Sequence, residues 1–199
     1  YLLSKKLINK LGMSTFLIIV IVDVALILMI ILLYNRLIRY RNNRENAFAN
    51  IDVQLKQRHD LIPQLVETVR GYMKHEATTL EKITQARNIA VAAQGIDQKI
   101  AAENQLSSLL SGFRVTMEAY PDLKASANFM QLQEEMSDIE NKLAAARRYF
   151  NSATKEYNNA VEVFPANIVA SLFGFKRETM FDVGEEQRAV LDEPPKVSF

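Results

Sequence analysis

The sequence predicts an all-α protein: an N-terminal transmembrane helix continuing into an elongated antiparallel helical bundle of about four long helices. Three observations predict it. Phe16 to Tyr34 is a nineteen-residue apolar run with one charge. At about 1.5 Å per residue such a run matches the hydrocarbon core of a bilayer, about 30 Å thick. No Gly or Pro occurs between Gly12 and Pro63, so nothing separates that run from the helix after it. In the second half of the chain, apolar residues recur at alternating spacings of three and four, the period of a buried helical seam.

The elements follow in order. Residues 1–12 are an N-terminal flank and 13–34 the transmembrane helix. A cleaved signal peptide would carry a shorter apolar region and a small-residue cleavage site, but Tyr34, Asn35 and Arg36 follow instead, so a retained span is expected. Lys5, Lys6 and Lys10 precede it, whereas Arg36, Arg39, Arg41 and Arg44 follow it. The larger and closer Arg group predicts a cytoplasmic bundle and would also attract anionic lipid headgroups. Asp23 sits mid-span, where an acid costs about 3 kcal/mol on insertion. It is either a tolerated acid or a polar contact with a neighbouring helix, from a second copy or a partner.

The bundle is assigned to 35–165. Phe48, Ile51, Leu55, Ile62, Leu65, Val69 and Tyr72 alternate three and four apart, with Arg58 the polar exception on that stripe. Pro63 removes a backbone donor and crowds the carbonyl of His59, so a bend is expected there. Thr78 and Glu81 have capping-box spacing, predicting a helix restart after Lys74 and His75. That second helix, carrying Leu80, Ile83 and Ala90, should end near Gly95. A third begins near Asp97, with Leu106, Leu110, Phe113, Met117 and Tyr120 on one face, and Pro121 closes it.

The fourth helix has the clearest period. Phe129, Leu132, Met136, Ile139, Leu143, Ala146, Phe150, Ala153, Tyr157, Ala160 and Phe164 run over about five heptads and require lengthwise cover from the other helices. Tyr149, Tyr157 and Asn158 add polar groups that fix register. Residues 166–181 form an apolar docking segment, in which Ile168, Leu172, Phe173 and Phe175 are candidates for contact with the bundle, another subunit or the membrane surface. Residues 182–199 are an acidic, Pro-containing tail with no core of its own.

The chemistry-bearing residue types are few. Lys and Arg total 24 against 23 Asp and Glu, and Cys is absent. The near balance argues against a nucleic-acid binder, and the missing thiols exclude disulfides, thiolate catalysis and Cys-zinc sites from these residues. There is no phosphate loop, His-Glu-x-x-His pair, nucleophile elbow or acidic calcium loop. His59–Asp60 and His75–Glu76 are helix neighbours pointing about 100° apart, so neither pair faces itself. Glu134, Glu135, Asp138 and Glu140 lie between seam positions, which predicts a solvated face rather than a di-metal site. No cofactor, metal or catalytic constellation is expected.

Particular runs add a resemblance. Tyr34-Asn35-Arg36-Leu37, Asn46-Ala47-Phe48 and Ile51-Asp52-Val53-Gln54-Leu55 lead into its most specific element, Arg58-His59-Asp60-Leu61-Ile62-Pro63-Gln64-Leu65-Val66-Glu67-Thr68-Val69 with Gly71-Tyr72 and His75-Glu76. Tyr120-Pro121-Asp122-Leu123-Lys124, Phe129-Met130-Gln131-Leu132, Ala146-Arg147-Arg148, Leu172-Phe173-Gly174-Phe175 and the closing Pro195-Lys196-Val197-Ser198-Phe199 continue it. With these runs the chain resembles the LemA family of bacterial membrane proteins over nearly its whole length. Phe48 stands where that family often has Trp, and Gln64 where it often has Asn. The resemblance implies a bacterial inner-membrane protein with one spanning helix and an elongated bundle, and no established catalytic activity or cofactor. The expected function is a non-enzymatic scaffold that self-assembles into a homo-oligomer at the membrane, in contact with lipid. The alternative is an adaptor for another membrane protein, such as a membrane protease or transport system.

Overall fold

The computed structural model describes residues 2–181, with the backbone alone for 2–12 and 14. The side chains of the expected N-terminal flank and the tail at 182–199 lie outside the described residues. Among the described residues the secondary structure is entirely helical. The helices are α1 (Leu2–Arg70), α2 (Ala77–Ala92), α3 (Ile96–Met117), the single turn α4 (Pro121–Lys124), α5 (Ala127–Glu162) and α6 (Ala166–Leu172).

Pro63 does not interrupt α1, which is helical for 69 residues through it. The reason lies in another helix. A proline has no N–H to give the carbonyl four residues back. That carbonyl belongs to His59, and the Arg87 Nε of α2 donates to it at 3.1 Å. The carbonyl that Pro63 leaves without its usual donor is therefore satisfied by a side chain remote in sequence.

The other boundaries follow local chemistry. A 3-10 turn at Lys74–Glu76 leads into α2. The expected capping box at Thr78 and Glu81 is not used. Glu76 occupies the cap position without a side-chain cap bond, and the Thr79 hydroxyl donates to its carboxylate at 3.3 Å. The 3-10 turn already delivers the chain in helical conformation at Ala77, so no capping side chain is needed. Between α2 and α3, Gly95 takes φ 77 and ψ 160, a conformation that side chains exclude. Helix α3 ends at Met117, ahead of Pro121. The proline opens α4 instead, where its missing N–H is among those left unbonded in any first turn.

The chain divides into two compact units, one from Tyr1–Asn42 and Glu156–Glu178 and the other from Asn43–Lys155 and Thr179–Phe199. In the second unit, side-chain pairings give the helix directions. Asp52 and Arg58 of α1 meet Lys99 and Glu103 of α3, so these two run the same way. Phe48 and Arg58 meet Phe150 and Glu140, so α5 runs opposite. The three-residue link at 93–95 reverses α2 against α3. One core joins Ile62, Val69, Ile83, Leu106, Phe113, Leu123 and Phe129. Another joins Phe48, Ile51, Leu55, Ile139, Leu143 and Phe150, with Phe181 closing it. In the first unit, Leu37 of α1 packs with Val169 and Ala170 of α6, beside Ala160 and Val161 of α5.

Candidate functional site

Of the expected seam residues, Phe48, Ile51, Leu55, Ile62, Leu65, Val69, Phe129, Ile139, Leu143, Phe150 and Tyr157 are buried. Met136 packs partly buried against the core, and Leu132 is half-buried. Two seam assignments need correction. Phe164 is 75% exposed and Tyr72 is also exposed. Both lie past the ends of their helices, at Glu162 and Arg70, so the helical period no longer governs where they point.

The second unit contains a charge cluster that the sequence marked only by the Arg58 exception. Arg58 is 0% exposed and Glu103 1%. The Arg58 guanidinium donates to the Glu103 carboxylate through Nη2. Its Nη1 donates to Glu140 at 2.8 Å and to the Ser107 hydroxyl at 3.0 Å. The buried His59 ring places Nε2 at 2.7 Å from the other Glu103 oxygen. Arg147 of α5 reaches Ser107 at 3.5 Å and lies 5.1 Å over the Phe181 ring. Glu140, expected on a solvated face, is thus half-buried and paired, because α3 and α5 bring an arginine to it from α1.

The electrostatics agree with that geometry. Burial alone would raise the Glu103 pKa, but the hydrogen bond from His59 and the Arg58 charge hold it below its ordinary value. Burial, and then the Arg58 charge, push Arg147 below its ordinary value. Two guanidinium groups and two carboxylates balance. Ser107 accepts from the guanidinium groups of both Arg58 and Arg147. These contacts tie α1, α3 and α5 to one another. His75 is exposed and takes no part. No group of three His, Asp or Glu able to hold a metal ion occurs among the described residues.

Ser107 and Glu140 also border a cleft of about 1060 Å³ between α3 and α5, whose apolar lining includes Phe113, Met117, Phe129 and Met136.

In the first unit, α1 is long and apolar enough to cross a membrane, and none of its apolar stretch is buried. Asp23 is exposed in the middle of that stretch. Arg36, Arg39 and Arg41 are exposed just beyond it, Arg36 donating to the Tyr40 hydroxyl at 3.3 Å. Arg44, expected to face headgroups with them, is buried. It belongs to the second unit, donates to the Thr179 carbonyl at 3.2 Å and lies 5.0 Å over the Phe150 ring. The expected contact residues of 166–181 separate. Phe175 packs on the α1 cluster, its ring 5.7 Å from Tyr34, while Ile168, Leu172 and Phe173 remain exposed.

Two asparagines of α5, of which the sequence singled out only Asn158, secure the segment after α6. Asn151 donates to the Phe181 carbonyl at 3.1 Å and accepts its N–H at 2.9 Å. Asn158, expected to fix register, holds the backbone of Glu178 in the same reciprocal way, at 3.0 and 2.8 Å. Tyr149, by contrast, is exposed and its hydroxyl reaches Asn43 at 3.3 Å. An asparagine on a helix facing an extended segment offers one donor and one acceptor, the pattern of a strand edge.

The comparisons with known proteins agree with one another. A family model described as the LemA family matches residues 47–199. The chain is similar to Protein LemA of Metamycoplasma hominis, 29% identical over 160 residues that cover 79% of this chain and 73% of that one. It is also similar to Magnetosome protein MamQ of Magnetospirillum gryphiswaldense, 21% identical over 184 residues, 79% of this chain and 68% of the relative. Magnetosome protein MamQ 2 of Paramagnetospirillum magneticum matches to the same extent, again at 21% identity.

Proposed function

We infer the function from one fixed point: the chain belongs to the LemA family. It is a membrane-associated helical protein of that family. Beyond this, its work is that of a non-enzymatic scaffold, anchored once in a bacterial inner membrane with the bundle on the cytoplasmic side and self-assembling into a homo-oligomer. The observation that carries the reading is α1 itself. One uninterrupted helix holds the exposed apolar stretch around Phe16–Leu32 and also supplies Phe48, Ile51, Leu55, Ile62 and Val69 to the core. An anchor and a bundle built on the same element leave the molecule organised around attachment. Asp23 supports self-assembly, because an acid inside a bilayer gains from a polar partner on a neighbouring helix.

The test is the mass of the full-length protein in lipid nanodiscs, measured by light scattering. A defined multiple of the 22.7 kDa chain is expected, falling on Asp23→Leu. A monomer that Asp23→Leu leaves unchanged would overturn self-assembly.

A second reading, an adaptor for another membrane protein, is favoured by the half-apolar cleft between α3 and α5. Crosslinking from cysteines placed at Met130 and Gln133 on its rim distinguishes the two. Self-crosslinks alone count against the adaptor.

A further inference from the structure

We propose that the outward face of α6 seats in the headgroup and upper acyl region of the bilayer that α1 crosses, giving this unit a second membrane contact beside the spanning helix. The inference rests on the reading of α1 as a membrane span.

Position is the first argument. Val169 and Ala170 of α6 pack against Leu37 of α1, with Leu33 and Tyr34 alongside. Leu33 and Tyr34 are the last residues of the apolar run. A contact there places α6 within about one helical turn, about 5 Å, of the point where α1 leaves the hydrocarbon. A bilayer thick enough to take Phe16–Tyr34 meets α6 at its surface.

Chemistry is the second. Phe164, Ile168 and Leu172 follow one another four residues apart and are 75%, 59% and 74% exposed, flanked by exposed Val163 and Phe173. Single exposed apolar residues are ordinary on protein surfaces; five within eleven positions make a patch that needs a partner. Helix α6 carries no charge of its own, and the charges around it suit a lipid surface. Arg36 and Arg39, just beyond Tyr34 on α1, and Lys176, just after α6, are exposed, Glu162 is paired with Arg177 at 2.8 Å, and Arg41 lies 5.7 Å over the Phe175 ring. The Tyr34 ring sits 4.8 Å from Phe173 and 5.7 Å from Phe175. Clustered aromatic rings between an apolar layer and a cationic one are the composition of a membrane interface. A second copy of the chain is the rival occupant. Continuity with the spanning stretch favours lipid.

Because the chain has no cysteine, single replacements can be labelled without background. Full-length Leu172→Cys, Ile168→Cys, Leu26→Cys and Val115→Cys would each carry a polarity-sensitive fluorophore in vesicles of phosphatidylcholine and phosphatidylglycerol. Leu26 reports the span, and Val115, 73% exposed on α3, reports water. At 168 and 172 the expected result is blue-shifted emission with several-fold stronger quenching than at 115 by lipids whose quencher lies about 5–10 Å below the headgroups. If these labels are as open to aqueous iodide as the Val115 label while Leu26 is quenched from lipid, the seat is wrong and the span stands. Protection from both lipid quencher and iodide means another copy covers α6 and also overturns the proposal. If Leu26 itself escapes lipid quenching, the span and the seat fall together.

Discussion

Replacing Glu103 with alanine tests whether the charge cluster is a structural lock. The substitution removes a carboxylate that is 1% exposed and receives both the Arg58 guanidinium and the His59 ring. Arg58 stays where it is, 0% exposed, and keeps Glu140 at 2.8 Å and Ser107 at 3.0 Å. Stripping one partner from a buried ion pair costs about 3–5 kcal/mol, because the other charge is left uncompensated. Retention of Glu140 places this case at the lower end, about 3 kcal/mol. For a unit of about 135 residues, each kcal/mol lowers Tm by about 4 °C, so the melt should fall by about 12 °C. The assay is thermal unfolding of the full chain in detergent, followed by far-UV circular dichroism. A double replacement, Arg58→Met with Glu103→Leu, separates charge from packing. Removing both ions should recover most of the loss, since apolar residues of similar volume are often neutral in place of a buried pair. A loss below about 1 kcal/mol for Glu103→Ala, or a double variant as unstable as the single one, would refute the argument.

Four further outcomes follow from the structure. Because Glu103 titrates below its ordinary value of 4.5 in the folded protein, its stabilising effect is complete above that pH and is lost as pH falls through the lowered pKa. Glu103→Gln should therefore flatten the acid limb of a Tm-versus-pH profile, and an unchanged limb would count against the pairing. Phe150→Ala, inside the ring cluster with Phe48 and Phe181, should cost about 3–5 kcal/mol in chemical denaturation. Phe164→Ala, largely exposed, should stay within about 0.5 kcal/mol in the same detergent. Gly95→Ala forces a side chain into φ 77 and ψ 160 and should destabilise by about 1–3 kcal/mol in the same measurement, with no effect if that backbone can relax.

The fold was legible because its dominant signals are periodic. The seam of α5 holds from Phe129 to Tyr157, and the stripe of α1 from Phe48 to Val69, since burial there repeats with the helix itself. The period stops informing where the helix stops, which is why Tyr72 and Phe164 do not follow it. The charge cluster leaves a trace in the sequence. Arg58 falls on the α1 stripe, and Glu103 lies three residues before Leu106, on the α3 face. Two opposite charges on two apolar stripes can be buried only by meeting. Single-sequence patterns do not pair positions across helices, so the contacts of Arg44, Asn151 and Glu140 belong to the tertiary structure alone. Phe181 has no periodic signal because no regular element carries it into the core.

The proline in α1 carries a consequence for sequence variation. Its defect is repaired in trans by Arg87, so positions 63 and 87 form one thermodynamic unit although twenty-three residues lie between them. Losing the arginine alone strands a carbonyl, at about 1–3 kcal/mol. Once Pro63→Ala restores an amide to α1, losing Arg87 as well should cost little. Descendants of a common ancestor would then be expected to exchange these two residues in concert, and the arginine should drift freely in lineages that have discarded the proline.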